Sequence, residues 1–157
     1  MKLREKERNK SPTVGIIGGG ISGCTAAMAL HKKNIKALWF QKRSQPSYPW
    51  PETIQKEALE SLYDLGVPQD AIKSTFQPID HHFSCWGSDK LLIKKQCHIY
   101  NQNHHQTLVN KQEFLKQILD HATINNQQII KTVKHLDIVE SKYKITFVDN
   151  SFSYVDI

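Results

Sequence analysis

The chain is 157 residues long, which is enough for about one domain with a hydrophobic core. Its net charge is +6, but Met1–Lys10 holds five Lys or Arg against two Glu, so half of the excess lies there. We predict that residues 1–12 form a disordered basic tail that does not bind nucleic acid, because the segment is polar throughout. No window is apolar over the roughly 18 residues that a transmembrane helix needs, so no membrane contact is expected.

Cysteine and histidine positions predict neither disulfides nor a metal site. The three cysteines, Cys24, Cys85 and Cys97, are odd in number and lack C-x-x-C spacing, which is typical of reduced thiols in a cytoplasmic protein. Adjacent histidines occur at positions 81–82 and 104–105, but neighbouring side chains on a strand point to opposite faces. Because neither pair has the ligand spacing of a zinc site, we predict no metal.

The segment Thr13–Ala29 carries the most informative motif of the chain. Residues 14–17 predict a short apolar strand, and a glycine motif and a helix of small residues follow it directly. The motif consists of Gly18, Gly20 and Gly23, in the spacing G-x-G-x-x-G. Strand, glycine turn and helix in this order are what the dinucleotide-binding fingerprint requires, so the sequence predicts an α/β, Rossmann-like fold.

Each glycine of the motif has an expected role. Gly18 allows the tight turn, and Gly20 lets a pyrophosphate approach the backbone because it has no side chain. Gly23 lets the helix pack closely, and Ala27 continues this thin face one turn later. The free amides and the dipole at the helix start attract the phosphates. The predicted phosphate-binding residues are Gly18, Gly19, Gly20, Ile21, Ser22 and Gly23.

A second strand is predicted over Ile35–Phe40, with Gln41 directly after it, about 20 residues beyond the first glycine of the motif. Proteins that bind adenine dinucleotides usually carry Asp or Glu here to hold the ribose hydroxyls. Gln41 can make a neutral hydrogen bond, which is about half as strong as a charge-assisted one. Lys42 and Arg43 follow and favour an alternative, a site for the 2′-phosphate of NADP. Trp39, inside the strand, is predicted to lie in the core.

The middle of the chain predicts two helices and a pair of strands. An amphipathic helix is predicted over Pro51–Leu65, with Gly66 just past its end, and a shorter helix over Gln69–Ser74. The pattern within Ile79–Ile99 is strand-like with a turn near its centre, and residues 101–106 are polar and read as a loop.

The last third predicts one helix and several strands. Asn110 and Glu113 form an Asx-x-x-Glu pair that resembles a capping box and opens a helix. Its predicted inward residues are Phe114, Ile118, Leu119 and Ala122. Strands are predicted over Gln128–Val133, Leu136–Glu140, Tyr143–Val148 and Phe152–Ile157, with turns at Ser141-Lys142 and Asp149-Asn150. The fold class expected is therefore a parallel sheet with helices plus antiparallel strands.

From Thr13 onward the chain resembles the N-terminal part of an FAD-dependent oxidoreductase of the flavin monooxygenase and tryptophan-halogenase-like family, which includes flavoproteins that mature quinone cofactors. Three segments follow the glycine motif in the family's order. Residues 51–54, with a helix ending at residues 65–67, resemble Gly-Glu-(Ser/Ala)-x-x-Pro and the helix after it. Residues 84–88 resemble a strand carrying Trp-Gly-Ser, and residues 109–114 resemble an Asp-Arg-x-x-Phe helix start.

The resemblance implies that the ADP part of FAD binds at the glycine turn, with Gln41 on the ribose and Lys111 near a phosphate. It also implies that Glu52 lies near the flavin, although an acid in the first turn of a helix has a purely structural use. Trp50 is a candidate ligand contact. No catalytic residue is predicted, because a flavin carries the difficult chemistry and the protein orients it.

The chain departs from the family pattern at several positions. Gln41 replaces a Glu, Pro51 replaces a Gly, and Lys111 replaces an Arg, which keeps the charge but loses the bidentate fork. The second flavin motif, Gly-Asp followed by a helix, is missing. The resemblance therefore implies that residues 13–157 are an FAD- or NAD(P)-binding domain that is truncated at its C-terminus.

Three interpretations of function follow from these departures. The chain is an N-terminal fragment of a flavin oxidoreductase, catalytically incomplete alone; or it is a subunit whose missing half is a separate chain. The third interpretation is a non-catalytic module that binds NAD or NADP as a regulatory ligand. An open sheet edge without covering helices further predicts self-association.

Overall fold

The computed structural model describes residues 12–42, 51–77, 81–84, 93–96, 106–126 and 128–157. The chain divides into two compact units, one comprising residues 1–47 and 118–157 and the other residues 48–117. The basic tail, the loop after Lys42 and the predicted turn and loop of the middle segment lie outside the described residues, with the exceptions of Pro12 and Gln106.

The described elements alternate between strands and helices along the chain. The strands are β1 (Val14–Ile17), β2 (Ala37–Gln41), β3 (Pro51–Gln55), β4 (His81–Ser84), β5 (Ile93–Gln96), β6 (Gln106–Asn110), β7 (Gln128–Ile130), β8 (Val133–Val139), β9 (Lys142–Phe147) and β10 (Phe152–Val155). The helices are α1 (Ile21–Lys32), α2 (Lys56–Asp64), α3 (Gln69–Lys73) and α4 (Lys111–Asn125).

The first unit is built on a parallel sheet in the order β1-β2-β7. Val14 of β1 pairs with Ala37 of β2, and Phe40 of β2 pairs with Ile129 of β7. Because all three strands run the same way, the residues that follow β1 and β2 lie at one edge of the sheet. This confirms the predicted parallel sheet with a helix in the first crossover.

An antiparallel sheet in the order β10-β9-β8 covers one face of the parallel sheet. Phe40 of β2 packs in one buried cluster with Ile145, Phe147 and Val155 of the antiparallel strands. The rings of Phe40 and Phe147 lie 5.0 Å apart at an interplanar angle of 50°. Apolar residues at alternate positions on the strands thus form the core between the two sheets.

Helix α1 packs against β1 and β2 and ends as predicted near Asn34. Its buried residues are Cys24, Ala27 and Met28, so Ala27 lies on the packed face of the helix as predicted. Asn34 has a φ of 56°, a left-handed conformation that asparagine tolerates better than most residues. The amide of Ile35 donates to the carbonyl of Leu30 at 2.9 Å, which completes a Schellman motif at the helix end.

The second unit holds the antiparallel pairs β3-β6 and β4-β5 and the helices α2 and α3. Leu59 and Leu62 form the buried stripe of α2. Gly66 follows α2 with a φ of 94°, and the Val67 amide donates to the Leu62 carbonyl at 3.1 Å. The predicted glycine at the end of this helix is therefore confirmed.

The predicted helix start at Pro51 is wrong. Residues 51–55 form β3, which pairs antiparallel with β6, and α2 begins only at Lys56. Exposure alternates along β3, with Glu52 and Ile54 half-buried between exposed neighbours. Since proline is tolerated in a strand that has a partner on one side only, Pro51 fits this position too. Pairing with a distant strand thus overrides the local helical pattern.

Several predicted boundaries in the last third also differ from the structure. The predicted strand Gln128–Val133 is two strands, because the amide of Lys131 turns back to the carbonyl of Ile129 while it still bonds the Gln41 carbonyl of β2, and β8 begins only at Val133. The hairpin turn falls at Glu140-Ser141, with Glu140 at a φ of 58°, so Lys142 begins β9. Gln106, predicted as loop, begins β6.

The start of α4 confirms half of the predicted capping box. The Asn110 Oδ1 accepts from the backbone amides of Gln112 at 3.1 Å and Glu113 at 3.2 Å. The Asn110 amide donates to the carbonyl of Thr75 at 2.9 Å, so the reciprocal bond to the Glu113 side chain is not made. Phe114, Ile118 and Ala122 are fully buried, and Leu119 is half-buried.

Candidate functional site

The turn between β1 and α1 has the backbone geometry that the glycine motif predicts. Gly18 has a φ of 122°, a conformation that residues with a side chain rarely adopt. Its amide donates to the carbonyl of Phe40 at 2.8 Å, which fastens the turn to β2. The chain therefore leaves the sheet edge abruptly and enters α1 three residues after Gly18, at Ile21.

Gly23 brings the first turn of α1 against this glycine turn. A Cβ atom at Gly23 would overlap the carbonyl oxygen of Gly18 and would lie 3.6 Å from the Nε1 of Trp39. The close packing predicted for Gly23 is present, and the backbone carbonyl of Gly18 is what requires it.

Trp39 supports the glycine turn with a hydrogen bond that the sequence did not predict. Its side chain is 1% exposed, which confirms its place in the core. Its Nε1 donates to the carbonyl oxygen of Gly18 at 2.8 Å, as buried tryptophan nitrogens usually find an acceptor. Nothing in the spacing of the motif indicates this contact, because position 39 reads only as an apolar strand residue.

The N-terminus of α1 is open toward its surroundings. Gly20 is the cap residue, no side chain of the described residues caps the helix start, and the first turn contains no acidic residue. A Cβ atom at Gly20 would meet nothing within 4 Å among the described residues, and Gly20 and Ser22 are both exposed. Free amides and a helix dipole without an internal anion form an environment that suits a phosphate group.

Gln41 lies directly beside the glycine turn. Its Oε1 occupies the space that a Cβ atom of Gly19 would need, so spacing alone correctly placed this residue near the motif. Its Nε2 donates to the Oε1 of Gln128 on β7 at 2.5 Å. The Nε2 of Gln128 is buried and has no hydrogen-bond partner among the described residues. Gln128 is absent from the predicted site, because only the folded sheet brings it to Gln41.

The alternative site for a 2′-phosphate rests on Lys42 and Arg43. Lys42 is exposed directly after β2, so water solvates its charge. Arg43 and the candidate contact Trp50 lie outside the described residues.

The second unit brings together Glu52 and Lys111, the two remaining predicted site residues. The Lys111 Nζ lies 3.2 Å from the Oε2 of Glu52, and both side chains are about 40% exposed. Glu52 lies on β3 and not in the first turn of a helix, so the purely structural use considered for it is wrong. Because each charge already has a partner, neither is a free ion in this structure.

Cys24 supplies no nucleophile at the glycine turn. Its side chain is fully buried, and burial raises the pKa of the thiol to about 11. The Sγ lies 3.8 Å from the carbonyl of Gly19. A protonated buried thiol is inert, so this cysteine has a packing role.

Within the described ranges, no group of three or more His, Cys, Asp or Glu side chains is arranged to hold a metal ion.

Across the same part of the chain, no helix combines the length and the apolar character needed to cross a membrane.

Comparison with known proteins identifies the fold. Residues 16–66 match the family model described as NAD(P)-binding Rossmann-like domain. The fold is Rossmann-like. No curated protein matches the sequence.

Solved structures share this fold at low sequence identity. HpxO of Klebsiella pneumoniae, crystallised with FAD and uric acid, has a TM-score of 0.68 at 17% identity. The 2,6-dihydroxypyridine-3-hydroxylase of Arthrobacter nicotinovorans has a TM-score of 0.66 at 15% identity. A putative FAD-containing monooxygenase of Photorhabdus luminescens subsp. laumondii TTO1 has a TM-score of 0.61 at 21% identity.

These likenesses cover most of this chain but a minor part of each neighbour. They extend over 93% of this chain and 38% of HpxO, 94% and 36% for the hydroxylase, and 94% and 38% for the Photorhabdus protein. The chain thus spans little more than a third of the length of the proteins that share its fold.

Proposed function

We propose that this chain is the dinucleotide-binding part of an FAD-dependent oxidoreductase of the monooxygenase type, and that it holds the ADP part of FAD. The observation that carries the proposal is the construction of the glycine turn: Gly18 at a positive φ, Gly23 against its carbonyl and an uncapped helix start. The solved neighbours include proteins whose names state FAD or a hydroxylase activity, which supports the choice of cofactor.

The residues at the turn fit the proposed ligand. The space beside Gly20 is free of described atoms, so a pyrophosphate can approach the backbone there. The amides of Ile21 and Ser22 are those of an open helix start, which suits the negative charge of two phosphates. Gln41 lies at the end of β2 beside Gly19, about 20 residues beyond the start of the motif, which supports the ribose contact proposed for it.

A bound flavin supplies redox chemistry, and the residues of this chain bind and orient it. In this proposal the α1 start would hold the phosphates and Gln41 would hold the ribose, while the hydrogen bond from Trp39 fixes the Gly18 carbonyl within the turn. The phosphate contact predicted for Lys111 remains a prediction. The halogenase-like type also remains a prediction, since residues 85–88 lie outside the described ranges.

A second candidate is a module that binds NAD or NADP without chemistry of its own. The family model that matches residues 16–66 is named for NAD(P), and the glycine turn serves any adenine dinucleotide.

The test is calorimetric titration of the purified chain with FAD, NADH and NADPH, repeated for Gly20→Val. We expect micromolar binding of FAD and its loss in the variant, since the valine side chain fills the space of the pyrophosphate. The thermal unfolding midpoint of Gly20→Val is the control. Since nothing lies within 4 Å of the added Cβ, the midpoint should fall only by the small amount expected for a weaker helix cap, and the variant should remain folded.

The outcomes separate the candidates. Binding of NADPH or NADH without FAD favours the NAD(P) module. Equal FAD affinity in the wild type and Gly20→Val means that the ligand does not bind at the glycine turn. A folded chain that binds none of the three ligands contradicts both candidates.

A further inference from the structure

We propose that Gln128 is a positioning residue that orients the side-chain amide of Gln41 and thereby selects an adenosine ribose without a 2′-phosphate. The inference rests on the proposed function, since it concerns the ribose of the same dinucleotide. It starts from the hydrogen bond between the two side chains, in which the Nε2 of Gln41 donates to the Oε1 of Gln128 at 2.5 Å.

This hydrogen bond decides which end of the Gln41 amide faces the glycine turn. With its Nε2 engaged by Gln128, Gln41 presents its Oε1 to Gly19, in the space that a side chain would take at that position. A carbonyl oxygen tolerates such a close approach because it accepts weak contacts from Cα hydrogens. An amide nitrogen in the same place would press its own hydrogens against those of Gly19, so the reversed orientation is disfavoured.

The orientation gives a neutral side chain the character of an acceptor. A carboxylate, the usual residue at this position, offers only acceptor oxygens, whereas a free glutamine amide offers a donor or an acceptor. The Gln128 contact removes this choice. Gln128 engages one of the two N–H groups of the Gln41 Nε2, and the Gln41 Oε1 is the end of the amide that faces Gly19. The Gln128 Nε2 is buried and unpartnered among the described residues, so it is not exposed for a phosphate.

An acceptor at this position distinguishes the two forms of the adenosine ribose. The hydroxyl groups of an unphosphorylated ribose donate hydrogen bonds to it, while the oxygens of a 2′-phosphate are mainly acceptors and leave it unpaired. The pair therefore favours FAD and NAD and acts against NADP. This selectivity is opposite to the one expected from Lys42 and Arg43, whose charges would attract a 2′-phosphate. The experiment therefore shows whether the Gln41–Gln128 pair or the two basic residues decide the selectivity.

The first measurement compares ADP-ribose with 2′-phospho-ADP-ribose on the full chain by titration calorimetry. We expect the wild type to bind ADP-ribose about tenfold more tightly, which is the ratio expected for gaining one hydrogen bond and avoiding one unpaired acceptor. Binding without this preference, or with the opposite one, overturns the inference and leaves the dinucleotide site intact. Failure to bind either ligand overturns the proposed function together with the inference.

A double-mutant comparison isolates the positioning role. In Gln128→Leu the Gln41 amide can turn over, so we expect the preference for ADP-ribose to fall by about fivefold. In the Gln41→Glu background the same replacement should leave the preference unchanged, because a carboxylate has no nitrogen to misdirect. An equal loss in both backgrounds would mean that Gln128 acts only through packing, and the inference would fail.

A measurement without ligand tests the pair itself. Hydrogen exchange of the Gln41 side-chain amide, followed by NMR, should be slowed in the wild type and faster in Gln128→Leu. Gln112→Leu, at an exposed position on α4, is the matched control and should exchange like the wild type. Equal exchange in all three proteins would show that the hydrogen bond does not form in solution, which overturns the inference.

Discussion

Gly23 is the residue at which the glycine turn tolerates least change, because an added Cβ meets a backbone carbonyl and not a flexible side chain. We expect Gly23→Ala to lower the free energy of unfolding by about 1–3 kcal/mol, the usual cost of overpacking. Urea unfolding followed by circular dichroism measures this change.

Gly20→Ala is the matched control for this substitution. Gly20 has a φ of −79° and open space around it, so its replacement avoids this clash. Because alanine caps a helix less well than glycine, the free energy of unfolding should fall by at most about 1 kcal/mol, less than for Gly23→Ala. Equal stability of the two variants would show that α1 does not approach the Gly18 carbonyl as closely as the structure has it.

Asp149 should make the stability of the fold depend on pH in the acid range. Hydrogen bonds from Ser151 and from Lys131 lower the pKa of this carboxyl from 3.8 to about 2. A carboxyl whose pKa is lower in the folded chain stabilises the fold above its unfolded pKa, and this contribution is lost as the pH falls through the folded pKa.

The corresponding experiment compares thermal unfolding of the wild type and Asp149→Asn between pH 7 and pH 2. The wild type should have the higher midpoint at neutral pH, and the difference should shrink below about pH 4 and vanish near pH 2. Ser151→Ala, which removes the largest cause of the shift, should reduce the difference at neutral pH. A difference that is the same at both ends of the range contradicts the assignment.

Sequence reasoning reached the site residues that depend on local spacing and missed those that depend on tertiary contact. The turn itself requires glycine at positions 18 and 23, and the length of the crossover from β1 through α1 to β2 predicts the position of Gln41. Gln128 enters from the third strand, 87 residues away from Gln41, and no local pattern marks it. Trp39 was placed in the core correctly, but a pattern of apolar residues carries no information about where its nitrogen donates.

Asn110 caps the start of α4 by accepting hydrogen bonds from two backbone amides. We expect Asn110→Ala to lower the free energy of unfolding by about 1 kcal/mol, since two backbone amides lose their acceptor. Glu113→Gln is the control and should have little effect, because the reciprocal bond of the capping box is not made. Chemical denaturation of both variants checks this, and a larger loss for Glu113→Gln would contradict the observed geometry.

Helices and strands that carry their own termination signals were predictable, and those defined by pairing were not. Asn34 and Gly66 end α1 and α2 where the sequence places them, because a left-handed residue is a local requirement. Pro51–Gln55 reads as the start of a helix until β6 pairs with it. Lys131 separates two strands that read as one, because its amide turns back to bond the carbonyl of Ile129.

At the scale of the whole molecule, the antiparallel sheet of the first unit leaves apolar surface uncovered. Ile138 is 73% exposed and Leu136 is 50% exposed on β8, a strand with one partner in its sheet. Exposed apolar edge strands favour association with further chains. We therefore expect the purified chain to self-associate.

Size-exclusion chromatography with light scattering tests this expectation. Ile138→Lys should shift the chain toward the monomer, because a lysine on an edge strand opposes edge-to-edge pairing. Lys134→Arg, which keeps the charge on the same strand, is the control and should elute like the wild type. A wild-type chain that runs as a stable monomer at high concentration contradicts the prediction.

The hydrogen bond from Trp39 to the Gly18 carbonyl makes this indole a built-in optical probe of the turn. Its emission should respond when a ligand changes the polarity or geometry of that carbonyl, and a bound flavin would quench it by energy transfer. With Trp50 and Trp86 replaced by phenylalanine, Trp39 is the single tryptophan of the chain. Rapid-mixing experiments on that variant would follow the arrival of a dinucleotide in real time without any attached label.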